Sequence, residues 1–368
     1  MRGLTAVPSY VVMQPTTLCN LDCAYCYLPL RAVDRRMPVE VAQAVAASVN
    51  PWAAEARFSV VWHGGEPLAA GREQLAALMA PFGPEVEHHV QTNATLIDDA
   101  WCEFFVTHRM RVSVSVDGPR ERNTERVTRS GRPAYDRIVR GVAALRRHGL
   151  PFSALAVVND PAPGRAAELY DYCLDLGCEV LGVNIEETEG VNTRDNAHDP
   201  ALVTGFWAEL VAAWRRQPRI HLREVEWSLR YAAAVLDDTA DDLLPRRLDP
   251  IPTIAYDGSV VVLSPELAGF TDPRYGDFSS GNVLRTPLHT ILEEATERTA
   301  WVGEFLTGVE ACRSSCPYFG FCGGGHAANR YFELGRFDGT ETEHCRNSKI
   351  RLLEGVLEHA RNHQPSGT

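Results

Sequence analysis

Three cysteines near the N-terminus, Cys19, Cys23 and Cys26 in PTTLCNLDCAYCYLP, have a spacing that can hold a metal centre. Structural zinc sites use four protein ligands, commonly from two C-x2-C pairs, so a lone triplet falls short. An iron–sulfur cube takes one cysteine thiolate per iron, and three cysteines would leave the fourth iron open. The triplet therefore indicates a cubane cluster to which a small molecule coordinates.

A second cysteine group lies in the C-terminal part of the chain, at Cys312, Cys316, Cys322 and Cys345. Four thiolates complete the ligand set of one iron–sulfur cluster, and the glycines between them suit a backbone folded tightly around it. Zinc also accepts four cysteines. The residues alone therefore leave iron–sulfur and zinc open for this second site.

The elements that must position the first cysteines alternate along the first half of the chain. Short β-rich runs are separated by helical patterns at the spacing of βαβ units, which predicts a parallel sheet. Six units favour an incomplete barrel or an open parallel sheet. The predicted strands are 9–14, 57–65, 86–93, 110–118, 151–158 and 178–187, and the predicted helices are 38–49, 71–81, 98–108, 134–148 and 164–177.

Polar segments follow the first four predicted strands, at the edge where parallel sheets bind their ligands. They are QPTTLCNLDC, HGGEP, QTNATL and VDGPRERN. Cys19 and Cys23 lie in the first of them, and Cys26 follows it. We therefore expect the four segments to meet around one ligand site.

The pattern changes after about residue 190. Helices are predicted at 200–216 and 222–236, and a last helix at about 345–362. Between them, residues 251–345 are rich in Gly, Pro and Cys and are predicted to be irregular. The expected division is a core at 1–190, a helical linker region at 191–250, an auxiliary-cluster domain at 251–345, and a C-terminal helix and tail at 346–368.

Bulk properties exclude several classes of protein. The chain has 368 residues and a net charge of −12, which argues against a protein that tracks nucleic-acid phosphates. No apolar run suits a signal peptide or a membrane span. We expect a cytoplasmic protein without a nucleic-acid or membrane partner, whose cysteines are metal ligands or buried thiols and not disulfides.

The segment CNLDCAYCY, with Tyr25 before its third cysteine, resembles the signature of the radical S-adenosylmethionine (SAM) superfamily. The resemblance implies an α/β fold, a partial (β/α)6 TIM-like barrel. It implies a [4Fe–4S] cluster whose open iron chelates SAM. It also implies that SAM is cleaved to a 5′-deoxyadenosyl radical, which abstracts a hydrogen atom from the substrate.

The segment HGGEP at 63–67 resembles the family's GGEP motif, whose backbone and acid contact the ammonium group of SAM. Its glycines permit a close backbone approach. A plain βα turn is the alternative for this segment. The cofactor-binding residues that the resemblance implies here are Gly64, Gly65, Glu66 and Pro67.

Four more residues lie in segments that resemble family positions near the cofactor. Asn93 ends the third predicted strand, and Ser115 and Asp117 end the fourth; they would face SAM or substrate. Arg129 is the candidate for the carboxylate of SAM. An ordinary turn role is the alternative for Asn93, Ser115 and Asp117.

The C-terminal region resembles the SPASM or twitch extension of radical SAM peptide maturases, in YDGSVVVLSPEL, in GDFSSGNV and in the segment around the second cysteine group. A full SPASM domain holds a second auxiliary cluster. Here VVVLSPEL lacks a cysteine where the family usually has one, and His326 stands where another would follow. We therefore expect one auxiliary [4Fe–4S] cluster, with His326 a spare ligand or a polar neighbour.

The segments SPEL and YFGFCGGGHAANRYFE resemble most the branch that forms three-residue cyclophanes in ribosomally made peptides. Such enzymes join an aromatic ring carbon to the β-carbon of a residue two positions along. Restoring aromaticity requires the loss of one electron, which the auxiliary cluster could take, and of one proton. Glu266 is the candidate base; Asp257 is the rival, although Asp-Gly is an ordinary hairpin turn.

The resemblance implies a precursor peptide with a leader, and an electron donor such as flavodoxin or ferredoxin. Residues 1–8 precede the first predicted strand, so we expect no leader-binding domain at that end. The leader could pair with a strand edge, or a separate protein could present it. The acidic segments 184–190 and 237–242 could attract basic leader residues, although such runs are usually solvated loops.

Other outcomes of the same radical are thioether formation, epimerisation and oxidation of Cys or Ser to formylglycine. The last would favour the full set of two auxiliary clusters. A non-catalytic iron–sulfur or zinc protein is a different class, which would not yield 5′-deoxyadenosine from SAM.

Overall fold

The computed structural model describes residues 3–195, 197–244 and 247–362. Its strands are β1 Tyr10–Met13, β2 Phe58–Trp62, β3 Val86–Thr92, β4 Arg111–Ser115, β5 Phe152–Val158, β6 Val180–Ile185, β7 His221–Leu222, β8 Thr253–Ile254, β9 Ser259–Val261 and β10 Gly281–Asn282. Its α-helices are α1 Val39–Glu55, α2 Arg72–Met79, α3 Asp99–Thr107, α4 Tyr135–Arg147, α5 Arg165–Leu176, α6 Pro200–Arg216, α7 Arg223–Leu236, α8 Leu288–Arg298, α9 Ala300–Ser315, α10 Phe319–Cys322, α11 Ala327–Leu334, α12 Glu343–Cys345 and α13 Arg351–Asn362.

Within the described residues the strands form one mostly parallel sheet in the order β10-β9-β8-β1-β2-β3-β4-β5-β6-β7. Strands β1 to β6 are consecutive parallel neighbours, and a helix separates each from the next along the chain. Strand β8 extends this sheet in parallel beside β1, and β9 and β10 follow antiparallel. The predicted α/β class is confirmed, and the six βα units are consistent with a partial barrel.

Alternation along the strands separates a buried layer from a central cavity. In β3, Val90 and Thr92 are buried, whereas Gln91 between them is half-buried and lines the cavity. In β5, Leu155 and Val157 line the same cavity between buried neighbours. Successive strand side chains point to opposite faces, so a single pattern supplies both the core and the cavity wall.

Ordinary capping features mark several helix ends, and one helix runs further than predicted. The Asp98 side chain caps α3 by accepting a hydrogen bond from the Trp101 N–H at 2.8 Å. Gly149 and Gly177 adopt positive φ after α4 and α5. Helix α1, predicted to end at residue 49, instead continues through Pro51 to Glu55. Its last turns remain helical because Trp52 and Ala53 pack against the core.

The prediction of an irregular segment at 251–345 was wrong. Helix α8 lies there and buries Leu288, Ile291, Leu292 and Ala295 at helical spacing. Helix α9 follows and ends next to the second cysteine group. The apolar period of these helices is a clear helix signal. The Gly, Pro and Cys content around it concealed the pattern.

The C-terminal helices pack back on the body of the protein, as predicted. Helix α13 contacts α6 and α7. The Trp207 indole N–H of α6 donates a hydrogen bond to the Asn347 carbonyl at 2.9 Å. The predicted tail at 363–368 lies outside the described residues. Of the helices that the structure describes, none combines the length and the apolar character needed to cross a membrane.

Candidate active site

A cavity of about 610 Å³ lies at the carboxyl ends of the parallel strands. The segments after β1, β2, β3 and β6 all contribute to its wall. Cys19, Cys23 and Cys26 line it, and so do Glu266 and His326 from the C-terminal region. Three of the four expected strand-end segments therefore meet at this cavity, whereas no residue of the fourth, VDGPRERN at 116–123, lines it.

The first cysteine group occupies the loop after β1. The Cys19 N–H donates to the Arg31 carbonyl at 2.9 Å, and the Cys26 N–H donates to the Cys23 carbonyl at 3.1 Å. Burial raises the pKa of Cys19 to about 12 and that of Cys23 to about 11, and it also raises the pKa of Cys26. Metal binding deprotonates a coordinating thiol, and three cysteines on one loop fit three ligands of an iron–sulfur cluster.

Two glycines bring the segment after β2 against the cysteine loop. Both have positive φ, +90° at Gly64 and +64° at Gly65. A Cβ atom on Gly65 would lie 2.6 Å from the Thr16 carbonyl oxygen and 2.7 Å from that of Leu18. Only glycine fits this close approach. The motif therefore fixes where the cysteine loop meets the cavity wall.

Glu66 lines the cavity, but its carboxylate is held by the end of β3. The Thr92 hydroxyl donates to Oε1 at 2.6 Å, and the Asn93 N–H donates to Oε2 at 2.8 Å. Burial raises the pKa of Glu66 to about 7 against these hydrogen bonds. The next residue, Pro67, is buried at the start of a short 3-10 helix. Glu66 thus links the segment after β2 to the end of β3.

Asn93 and Ser115 both line the cavity, as the sequence predicts. The Asn93 amide donates to the Asn20 side-chain oxygen at 2.8 Å and lies 3.8 Å from the Cys19 sulfur. The Ser115 hydroxyl accepts from the Gln91 amide at 2.7 Å. Both side chains are therefore close to the cysteine loop or to its cavity wall.

Asp117 is buried behind the cavity wall and positions two residues that line it. Its carboxylate accepts from the Tyr25 hydroxyl at 2.5 Å and from two nitrogens of Arg126, both at 2.8 Å. The Arg126 guanidinium also lies 5.4 Å from the centre of the Tyr25 ring. Arg129 instead donates to the backbone carbonyls of Arg31 and Ala32 and is exposed.

Sequence reasoning missed Arg126, one of two arginines that line the cavity; the other is Arg223. The Asp22 N–H donates to the Val127 carbonyl, and the Ala24 N–H donates to the Glu125 carbonyl. This pairing with the cysteine loop places Arg126 on the cavity side. No local sequence feature distinguishes Arg126 from Arg129, because the hydrogen bonds that position Arg126 join segments about a hundred residues apart in the chain.

The second cysteine group converges at the ends of α9, α10 and α12. Cys322 and Cys345 share a hydrogen bond that lowers the pKa of Cys322, and the charge of Cys316 acts on Cys345. The buried Arg330 guanidinium donates to the Cys312 sulfur at 3.3 Å. Gly323, Gly324 and Gly325 then turn the backbone with positive φ. This donor set fits a thiolate-bound cluster.

The two candidate bases lie in different cavities. Glu266 lines the large cavity, where burial raises its pKa to about 8. Asp257 lines a smaller cavity of about 170 Å³, and its carboxylate accepts the Ser259 N–H at 3.1 Å inside the hairpin turn. Of the two, only Glu266 shares a cavity with the first cysteine group.

The acidic segment at 184–190 is part of the cavity and not a solvated loop. Glu186 and Glu189 are buried, and both line the cavity. Glu187 contacts His344 at 3.2 Å and accepts from the Asn329 amide at 2.8 Å. Burial by itself raises the pKa of Glu187. The interaction with His344 lowers it by more, so the pKa of Glu187 falls to about 2. Sequence reasoning missed these residues because acidic runs are usually exposed.

Comparisons with known proteins agree with this geometry. Residues 13–187 match the family model of the radical SAM superfamily. The protein sll1766 of Synechocystis is 34% identical over 367 residues, which cover 94% of this chain and 90% of that protein. The chain belongs to the radical SAM superfamily. Membership implies SAM and a [4Fe–4S] cluster as cofactors.

Two further similar proteins are informative. The serine-type anaerobic sulfatase-maturating enzyme of Klebsiella aerogenes is 31% identical over 227 residues. The match covers 57% of this chain and 55% of the enzyme, about half of each. The solved structure of native anSMEcpe with bound AdoMet superimposes with a TM-score of 0.73 at 22% identity, over 96% of this chain and 100% of that one.

A second solved structure shares the same fold at lower identity. SuiB of Streptococcus suis bound to the precursor peptide SuiA gives a TM-score of 0.65 at 16% identity, over 92% of this chain and 76% of that one. At such identities these two structures show a common radical SAM fold and no more.

Proposed function

We propose that this chain is a radical SAM peptide maturase that forms a C–C cyclophane crosslink in a ribosomally made precursor peptide. The observation that carries the proposal is the shared cavity of about 610 Å³, which is lined both by the three-cysteine loop and by Glu266. Hydrogen abstraction and proton acceptance can therefore take place on one bound peptide segment.

Cys19, Cys23 and Cys26 are the proposed ligands of the SAM-binding cluster, and Tyr25, Arg126 and Asn93 line the space beside them. The bound cluster and SAM supply a 5′-deoxyadenosyl radical. The chain's own task is to hold the peptide and exclude water, because solvent quenches such radicals. The half-buried wall of β3 and β5 serves that purpose.

Crosslinking removes two hydrogen atoms from the peptide. One leaves as a hydrogen atom and yields 5′-deoxyadenosine, and the resulting β-carbon radical adds to the aromatic ring. The ring then loses one electron and one proton. Glu266 is the proposed proton acceptor, because its Oε2 is buried without a hydrogen-bond partner at the cavity.

Cys312, Cys316, Cys322 and Cys345 are the proposed ligands of one auxiliary [4Fe–4S] cluster, which would supply the one-electron acceptor. Ser264 supports a single auxiliary cluster in this chain. It is fully buried, and its hydroxyl accepts the Ala328 N–H at 3.2 Å. The segment VVVLSPEL, which lacks a cysteine, thus presents a hydroxyl that already has a structural partner.

A peptide substrate is supported by the relatives of similar fold. SuiB is bound to its precursor peptide SuiA, and anSMEcpe to the Cp18Cys peptide, in their solved structures. The large cavity has room for side chains of a peptide segment. A leader peptide and a reducing partner such as flavodoxin or ferredoxin complete the proposed system.

The direct test is co-expression with a precursor peptide that carries an aromatic residue two positions before its crosslinking partner. Tandem mass spectrometry should find a product that has lost two hydrogen atoms and does not fragment between the joined residues. Glu266→Gln should still form 5′-deoxyadenosine but reduce crosslinked product at least about a hundredfold. Asp257→Asn is the matched control and should retain the product. Full crosslinking by Glu266→Gln would exclude Glu266 as the base.

Oxidation of Ser or Cys to formylglycine is the second candidate, favoured by the 31% identity to the Klebsiella enzyme. Formylglycine contains an aldehyde, whereas a cyclophane does not. Capture of the product by hydroxylamine would therefore establish the second candidate and exclude the first.

A further inference from the structure

Three side chains bring potential ligand atoms together at the large cavity. Glu189, Glu266 and His326 each offer one such atom, and these atoms all lie within 4.8 Å of one another. Glu189 follows β6, Glu266 lies in the 3-10 turn Pro265–Leu267, and His326 directly precedes α11. Three distant parts of the chain therefore converge on one point.

Each of these side chains has a buried polar atom without a hydrogen-bond partner. The atoms are Oε1 of Glu189, Oε2 of Glu266 and Nδ1 of His326. Glu189 is only 7% exposed. An unsatisfied buried polar atom destabilises the folded state, and a charged one does so more strongly. A ligand that bonds to all three atoms would remove that destabilisation at once.

The scaffold holds two of the side chains in place. The bond from the Ala328 N–H to the Ser264 hydroxyl joins the turn of Glu266 to the residues after His326. Among the described residues, no ion pair reaches Glu189 or Glu266. Of the basic side chains that line the cavity, Arg126 pairs with Asp117 at 2.8 Å and Arg223 with Glu224 at 2.5 Å. The Lys349 amine lies over the Trp227 ring at 5.2 Å, and the His344 ring contacts Glu187 at 3.2 Å.

We propose that Glu189, Glu266 and His326 form a binding site for one divalent first-row transition-metal ion. Two carboxylates and an imidazole suit Mn²⁺, Fe²⁺ or Zn²⁺. Three protein ligands leave coordination positions for water. A metal ion and a proton compete for the same carboxylate oxygens. The metal-bound state therefore withholds Glu266 from the proposed proton transfer, and the ion is expected to inhibit crosslinking.

The test uses the full chain with its iron–sulfur clusters in their oxidised, EPR-silent state, treated with a chelator and desalted. Titration with Mn²⁺, followed by the loss of the free-ion EPR signal, should show one ion bound per chain. Pulsed EPR of the bound ion should show ¹⁴N coupling from one imidazole. Glu189→Gln, Glu266→Gln and His326→Gln should each weaken binding at least about tenfold. Glu121→Gln, at an exposed distant position, should bind like wild type.

Absence of bound Mn²⁺ in wild type, equal binding by all three variants, or bound ion without ¹⁴N coupling would overturn the site. Iron content and circular dichroism show whether each variant is folded. If a variant is not folded, the ¹⁴N coupling of the Mn²⁺ ion bound to wild type still shows whether an imidazole is one of its ligands. The readout needs neither SAM nor peptide, so failure of this site is distinguishable from failure of the proposed crosslinking activity.

Discussion

At the scale of single residues, the cysteine loop depends on contacts that tolerate almost no added volume. Gly65 packs directly against the backbone carbonyls of Thr16 and Leu18. The adjacent Glu66 N–H donates to the Leu18 carbonyl at 2.8 Å. The GGEP segment thus sets the position of the loop that carries the three thiols, in addition to any contact with SAM.

Gly65→Ala is expected to displace the cysteine loop. Positive φ alone costs an alanine about 1–2 kcal/mol, and the clash with two carbonyl oxygens adds to it. Gly71→Ala is the matched control, because Gly71 also has positive φ, at 88°, but has open space around its Cβ position. Iron content after anaerobic reconstitution should fall in Gly65→Ala and not in Gly71→Ala. Equal iron content in both variants would show that the close approach does not position the loop.

At the scale of secondary-structure elements, a buried histidine connects β2 to β3. His88 is 8% exposed and accepts the Trp62 indole N–H at 3.2 Å. Its neighbour His89 points to the opposite face, beside Glu87, and is half-buried. Burial lowers the pKa of His88 from 6.5 to about 4. The sheet therefore requires a neutral imidazole at this position.

This histidine should make stability depend on pH. In the unfolded state the His88 imidazole binds a proton below about pH 6.5, whereas in the folded state it stays neutral down to about pH 4. The contribution of His88 to the free energy of unfolding is therefore fully present above about pH 6.5. It decreases as the pH falls towards 4, and about 2 kcal/mol of it is lost at pH 5. Denaturant titrations at pH 7.5 and pH 5 should show a smaller pH-dependent loss in His88→Gln than in wild type. His221→Gln, on an exposed side chain, is the control. An unchanged loss in His88→Gln would assign the pH dependence to other groups.

The C-terminal elements meet at Arg330, which is 2% exposed. It donates to the carbonyls of Phe305, Phe337 and Gly324 as well as to the Cys312 sulfur. Burial lowers its pKa, and a thiolate cluster would supply the missing negative charge. The guanidinium therefore joins α9, α11 and the glycine turn around the second cysteine group.

Arg330→Leu should lose the proposed auxiliary cluster while all seven proposed ligand cysteines remain. Iron per chain should fall from about eight to about four, because each cubane holds about four irons. Arg336→Leu, at an exposed arginine of the same region, should keep about eight. Undiminished iron in a folded Arg330→Leu protein would show that the cysteines hold the cluster without this support.

At the scale of the whole molecule, the sequence predicts what depends on local pattern and misses what depends on distant contact. The six βα units follow from strand and helix periodicity, and the structure places them in a mostly parallel sheet. The C-terminal region resisted prediction because its Gly- and Cys-rich turns concealed the apolar faces of α8 and α9.

The candidate site divides in the same way. Cys19, Cys23, Cys26 and the GGEP glycines are adjacent in sequence, so spacing reveals them. Arg126 and Glu189 face the cavity only because loops far apart in the chain fold against one another. The acidic composition of residues 184–190 is typical of a solvent-exposed loop, whereas the fold buries Glu186 and Glu189 in the cavity wall.

The proposed activity requires that the three-cysteine loop hold a cluster that cleaves SAM. The most direct measurement is 5′-deoxyadenosine formation by the anaerobically reconstituted chain, with iron counted in the same samples. Wild type should produce 5′-deoxyadenosine and hold about eight irons, and a Cys19/Cys23/Cys26→Ala triple variant should produce none and hold about four. Equal 5′-deoxyadenosine formation by the triple variant, or none by a wild type that holds about eight irons, would show that the three-cysteine loop does not hold a SAM-cleaving cluster.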